Sequence, residues 1–101
     1  MNEIRRGPTL FDLRRRRNEI LRIAARHGAR NVRVFGSVAR GTARPESDLD
    51  LLIELDADRG VLDLSELILD LQDALGYPVD VVESQSRTDA VRRLDQDAVL
   101  L

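Results

Sequence analysis

Apolar residues recur along this chain in two rhythms. Leu10, Leu13, Ile20, Leu21 and Ala24 fall near one face at helical spacing, which predicts a first amphipathic helix. Thr9 stands where a cap belongs and Gly28 where the helix would end. Arg26 and His27 occupy its last turn, where positive charge suits the helix dipole. Arg14, Arg15, Arg16 and Arg17 interrupt the stripe, and their aliphatic stems are expected to lie along its edge. Residues 31–35 then read as a short strand. Gly36-Ser37 turns the chain, with Ser37 expected to cap a short helical turn through Arg40, and residues 41–47 form a loop containing Pro45. Residues 48–55 predict a second strand and residues 56–60 a polar connection. Val61, Leu64, Leu67, Ile68, Leu71 and Leu75 return to helical spacing on a second amphipathic helix closed by Gly76. Residues 78–83 predict a third strand and residues 84–88 a loop. Residues 89–98 predict a final helix around Val91, Leu94 and Ala98, with residues 99–101 packed or extended.

The order helix, strand, turn, strand, helix, strand, helix, with no internal repeat, predicts one α/β (α+β) domain over residues 9–101. Its small mixed sheet is flanked by helices, and residues 1–8 form a flexible N-terminal segment. A chain of 101 residues is enough for one such domain and too short for two. Only three aromatics are present, so the core must be built from Leu, Val, Ile and Ala. Cysteine is absent, which excludes disulfides, thiolate metal sites and thiol catalysis. No apolar run approaches membrane-spanning length and no signal-like segment opens the chain, so a cytoplasmic location is expected. The net charge of -2 hides a polarity: residues 1–45 carry twelve arginines against three acids, and residues 46–101 carry four arginines against fifteen acids. A basic surface near one end of the fold is expected, while the acidic half argues against a general nucleic-acid binder. The leucine-rich second helix is compatible with self-association.

Candidate chemistry is concentrated between Gly36 and Asp80. Residues two apart on a strand share a face, so Asp48 and Asp50 project together while Leu49, Leu51, Ile53 and Leu55 point the other way. Adjacent carboxylates raise each other's pKa unless a cation sits between them, and a hard divalent ion such as Mg²⁺ prefers such oxygen ligands. Taken alone the pair reads better as a loop cap, Asp48, and a solvated strand end, Asp50. Asp80 lies mid-strand between Val79 and Val81, where a carboxylate is costly unless paired or metal-bound. If the third strand lies beside the second, Asp80 joins Asp48 and Asp50, and three carboxylates can hold two metal ions roughly 3.5–4 Å apart. An exposed sheet-edge Asp is the alternative. Gly36 lets backbone N–H groups approach phosphate oxygens, and Ser37 and Arg40 add a hydroxyl and a positive charge within one helical turn. An ordinary strand-to-helix turn would look the same in isolation.

Taken jointly, residues 35–41 (Phe-Gly-Ser-Val-Ala-Arg-Gly) and 47–52 (Ser-Asp-Leu-Asp-Leu-Leu), with Asp80 in Pro-Val-Asp-Val-Val, resemble the signature of the minimal nucleotidyltransferases. These belong to the DNA polymerase β-like nucleotidyltransferase superfamily. The resemblance spans about residues 10–83 and implies the fold of that superfamily. It implies AMP transfer from ATP with two Mg²⁺ ions. Gly36 and Ser37 would then hold the triphosphate, Asp48 and Asp50 both metals, and Asp80 one metal and the acceptor proton. Solitary small members are commonly antitoxins paired with a HEPN-domain toxin, some of which modify a tyrosine of that toxin. The resemblance therefore implies such a partner, and shortness leaves an open site suited to a protein acceptor. Neutralisation by binding alone, or transfer to a small molecule, are the competing readings.

Overall fold

Leu49, Leu51, Ile53 and Leu55 all turn to one side of a central strand, and none is more than 3% exposed. Around that strand the computed structural model describes residues 7–84 and 89–101. The elements in chain order are α1 (Leu10–Arg15), α2 (Arg17–Arg26), β1 (Ala29–Phe35), α3 (Gly36–Arg40), β2 (Leu49–Leu55), α4 (Val61–Leu75), β3 (Val79–Glu83), α5 (Asp89–Asp97) and β4 (Val99–Leu100). They build a mixed sheet ordered β3-β2-β1-β4 with helices packed against it. The pair β1–β2 is antiparallel, β2–β3 parallel and β1–β4 antiparallel. No described helix is long and apolar enough to cross a membrane.

The first predicted helix is two helices. Leu13, Arg17, Ile20 and Ala24 form one row of a continuous helix, so an unbroken helix would turn Arg17 toward the core. Instead Arg16 leaves helical geometry (φ -105°, ψ 16°), Arg17 stays exposed, and Leu13 and Ile20 are both fully buried. Arg16 also fastens the break: its Nη2 donates to the Ala74 carbonyl at 2.7 Å, and its guanidinium pairs with Glu19 at 3.0 Å. Thr9 caps α1 as expected, its hydroxyl accepting the Asp12 N–H at 3.1 Å.

Strand β1 starts at Ala29, two residues earlier than its sequence pattern suggests. Its ladder slips between Arg30 and Arg33, and Asn31 takes a left-handed φ of 52°. Asn tolerates that conformation better than most residues. The extra residue changes the alternation, so Ala29 and Val32, three apart, both reach the core.

Helix α4 follows its predicted stripe, with Leu67, Leu71 and Leu75 buried and Leu64 and Ile68 partly so. Each fully buried Leu contributes roughly 1.5–3 kcal/mol. Val61 departs from expectation: as the first helical residue it overhangs the core and is 79% exposed. Asp63 accepts the Gly60 N–H at 2.9 Å, and Gly76 closes the helix at φ 79°. Residues 99–101 prove extended: β4 pairs with β1, and Leu101 is buried, its N–H donating to the Val32 carbonyl at 3.1 Å. Residues 85–88 of the expected loop, residues 1–6 of the expected N-terminal segment and the Val91 side chain lie outside the described residues.

Candidate active site

Strand β2 enters the sheet at Leu49, and Asp50 is its second residue. In the ladder Asp50 stands opposite Phe35 on one side and opposite Asp80 on the other. Val79 and Val81 are buried in the core, so the alternation turns Asp80 to the face that Asp50 occupies. The β3–β2 adjacency left conditional by the sequence is thus present, and Asp80 does not point away. Asp48 lies just before the strand and is exposed.

The turn between β1 and α3 meets this pair directly. Gly36 has φ 72°, and Asp50 Oδ2 occupies the space that a Cβ on Gly36 would need. Only glycine satisfies both conditions, the left-handed backbone and the close carboxylate. Ser37 follows, but it does not cap α3. No side chain caps the helix, because the left-handed Gly36 makes the turn into it and Ser37 stands past the cap position. Among the described residues the Ser37 hydroxyl makes no hydrogen bond, while its carbonyl accepts the Thr42 N–H at 2.9 Å. Arg40 ends α3, exposed, and its charge reaches Asp50.

The electrostatics identify who neighbours whom. The Asp50 carboxyl is pushed above the usual carboxylate value of 3.8, first by burial, then by the Asp80 and Asp48 carboxylates, with Arg40 pulling weakly the other way. Asp80, Asp48 and Arg40 therefore each sit within interaction range of Asp50. Ionised Asp50 is disfavoured by its surroundings, a condition that a cation relieves.

Among the described residues no three His, Cys, Asp or Glu side chains stand close enough together to grip a metal ion. Three carboxylates without a counter-charge repel, and Asp48, outside the ladder, is not held by it. The donor set itself fits a hard divalent ion: it is all carboxylate oxygen, with one member whose charge is already penalised.

Other singled-out residues fall elsewhere. Glu54 shares the Asp50 face but lies near Arg30, 3.7 Å away, at the far end of β2. His27, expected to act as a helix-end charge, reaches across to Asp70 and ties α2 to α4. Nothing in the sequence flagged Asp70 as its partner. Tyr77 packs against the core, and burial raises its hydroxyl pKa.

Residues 17–98 match the family model described as nucleotidyltransferase domain. A Methanocaldococcus jannaschii protein, described provisionally as a protein adenylyltransferase, is 36% identical over 70 residues, covering 69% of this chain and 75% of its own. A solved structure described provisionally as a minimal nucleotidyltransferase superposes with a TM-score of 0.81 at 45% identity, covering 92% of this chain and 96% of that one. A more distant structure, the complex of a tri-AMPylated Shewanella oneidensis HEPN toxin with an MNT antitoxin, shares the fold at a TM-score of 0.60 and 19% identity, covering 80% of this chain and 63% of that one.

Proposed function

The chain belongs to the nucleotidyltransferase domain family, and on that premise we propose that it moves AMP from ATP to a hydroxyl, a tyrosine, of a HEPN-type toxin, acting as its antitoxin. The observation that carries this reading is the in-register pair Asp50–Asp80 lying against the Gly36 turn. The Methanocaldococcus jannaschii relative described as an adenylyltransferase supports the nucleotide and the protein acceptor. The AMP-bearing HEPN toxin of the distant complex supports the kind of partner.

In the proposed chemistry the acceptor oxygen bonds to the α-phosphorus of ATP as the bond to the β-phosphate bridging oxygen breaks. Pyrophosphate leaves. Gly36 brings backbone N–H groups up to the triphosphate without a side chain in the way. The unpartnered Ser37 hydroxyl donates to a phosphate oxygen, and Arg40 adds charge from the end of α3. Asp80, on the exposed edge strand, takes the acceptor proton. Asp48, Asp50 and Asp80 are the residues that would hold two Mg²⁺ ions. Bound there, the ions would supply positive charge to the phosphates and acidify the attacking hydroxyl. The chain's own part is placement and charge.

Incubating the purified protein with α-labelled ATP, Mg²⁺ and its HEPN-type partner tests the proposal. Label should move to the partner, and Asp50→Asn should stop it while the fold persists. Label transfer undiminished by Asp48→Asn/Asp50→Asn would remove these carboxylates from the reaction. A second reading, neutralisation by binding alone, draws on the exposed Val61, Leu62 and Leu69 of α4. It predicts that Asp50→Asn neutralises the toxin as well as wild type at equal concentration.

A further inference from the structure

The segment ahead of α1 touches the loop that delivers Asp48, and the atom it touches is a structural acceptor. Gly7 is buried, and a Cβ built on it would collide with the Arg44 carbonyl oxygen and lie 2.6 Å from the Arg44 carbonyl carbon and 2.7 Å from that of Ala43. These neighbours are backbone, so they cannot swing aside as the end of a side chain can. The same Arg44 oxygen accepts the Ser47 N–H at 2.9 Å, and the Arg44 N–H donates to Ser47 Oγ at 2.8 Å. This doubly bonded turn ends one residue before Asp48.

The touching segment is itself fixed. Pro8 restricts its backbone. Thr9 caps α1, Leu13 of α1 is fully buried, and Arg14 donates to the Leu100 carbonyl at 3.2 Å. On the other side, Asp50 is locked in the ladder between Phe35 and Asp80. Asp48 is the member of the carboxylate set that no ladder holds.

We propose that Gly7 is a positioning residue: residues 7–9 form a strap that presses on Arg44 and, through the Arg44–Ser47 turn, sets Asp48 against Asp50. The inference rests on the metal-holding role proposed above for Asp48. A cavity of about 360 Å³ lies between strap and loop, lined by Gly7, Pro8, Thr9, Gly41, Thr42 and Ala43. Strap and loop thus meet at the Gly7–Arg44 contact without filling the space beside it, so a side chain at residue 7 acts on the turn and leaves the core standing.

The test uses the full chain and two measurements. Amide NMR of Gly7→Ala should show the Ser47 and Asp48 resonances displaced while those of Leu51 and Leu71 stay in place. Titration with Mn²⁺ alone, followed by electron paramagnetic resonance, should show affinity weakened about tenfold or more, in the range typical of lost supporting contacts around a metal. Ser47→Ala, which removes the hydroxyl acceptor without touching the strap, should weaken Mn²⁺ to a similar degree, and Ser47→Thr should restore it. That pair carries the test if Gly7→Ala does not fold. Unmoved Ser47 and Asp48 resonances in folded Gly7→Ala, or Mn²⁺ affinity equal to wild type in it and in Ser47→Ala, overturn the strap. Failure of the wild type itself to bind Mn²⁺ strikes instead at the proposed function, and the resonances still decide whether the strap reaches Asp48.

Discussion

Replacing Gly36 with Ala separates backbone strain from damage to the site, because the molecule contains a matched control. Gly36 and Gly76 both hold a positive φ, 72° and 79°. A Cβ on Gly76 meets nothing within 4 Å, whereas one on Gly36 runs into Asp50 Oδ2. The left-handed backbone costs an Ala about 1–2 kcal/mol. Reduced entropy of the unfolded chain returns about 0.4–1 kcal/mol, leaving roughly 1 kcal/mol. Gly76→Ala should carry that cost alone and lower Tm by about 4–8 °C for a domain of this size. Gly36→Ala adds the displacement of Asp50. The struck atom is the end of a side chain, so Asp50 turns off its preferred rotamer at about 0.5–1.5 kcal/mol. The stability difference between the variants is therefore small. The difference in transfer is large, since moving a reacting or ligating group by an ångström costs on the order of 100-fold. Thermal melts and initial rates of AMP transfer on both proteins measure the two effects. Gly36→Ala transferring as fast as Gly76→Ala would refute the assignment of the Gly36 turn to the site.

Asp50→Asn should raise the melting temperature of the metal-free protein near neutral pH while ending transfer; a lower Tm would show that ionised Asp50 is not disfavoured. The sign follows from its raised pKa: the folded state holds this proton more tightly than the unfolded chain does. That stabilisation is complete below 3.8 and is lost as pH rises through the elevated folded value, so urea melts should show wild type losing stability relative to Asp50→Asn across that window. Arg16→Ala should cost about 1–3 kcal/mol, because the Ala74 carbonyl and Glu19 lose a charged donor; circular dichroism melts that match wild type would sink this. Leu71→Ala, at a side chain only 1% exposed, should cost about 2–5 kcal/mol by chemical denaturation, and a loss below that range would mean α4 is packed more loosely than described.

The period-2 run 49–55 and the stripe Leu64 to Leu75 were legible because both signals are local. Leu49 and Leu67 each face the core for reasons visible within a few residues of themselves. The break at Arg16 was hidden: Leu13 and Ile20, seven apart, keep the same helical phase whether or not the helix is interrupted. The early start of β1 was hidden by Asn31, whose extra position makes residues 29–32 look irregular. For the site, the sequence supplied the residue types and one spacing. It did not supply the register. That Asp80 pairs with Asp50, and not with Leu49 or Leu51, depends on how α4 carries the chain back alongside β2. Ser37 as a cap failed for a local reason. Gly36, held at φ 72°, already makes the turn into α3, so Ser37 stands past the cap position and no side chain caps the helix.

Holding like charges side by side requires something else to hold the backbones together, and here the two roles fall on alternate residues of the same strands. Leu49 and Leu51 flank Asp50, Val79 and Val81 flank Asp80, and all four apolar residues are 6% exposed or less. Their burial fixes both strands in register, so Asp50 cannot relieve its repulsion from Asp80 by moving its backbone. Asp48 stands outside the ladder and retains that freedom. The carboxylates thus differ in kind: two are held by the core, and one depends on the loop before it. A change on the core side of β2 or β3 therefore acts on the site through register, and a change near Arg44 or Ser47 acts through Asp48 alone.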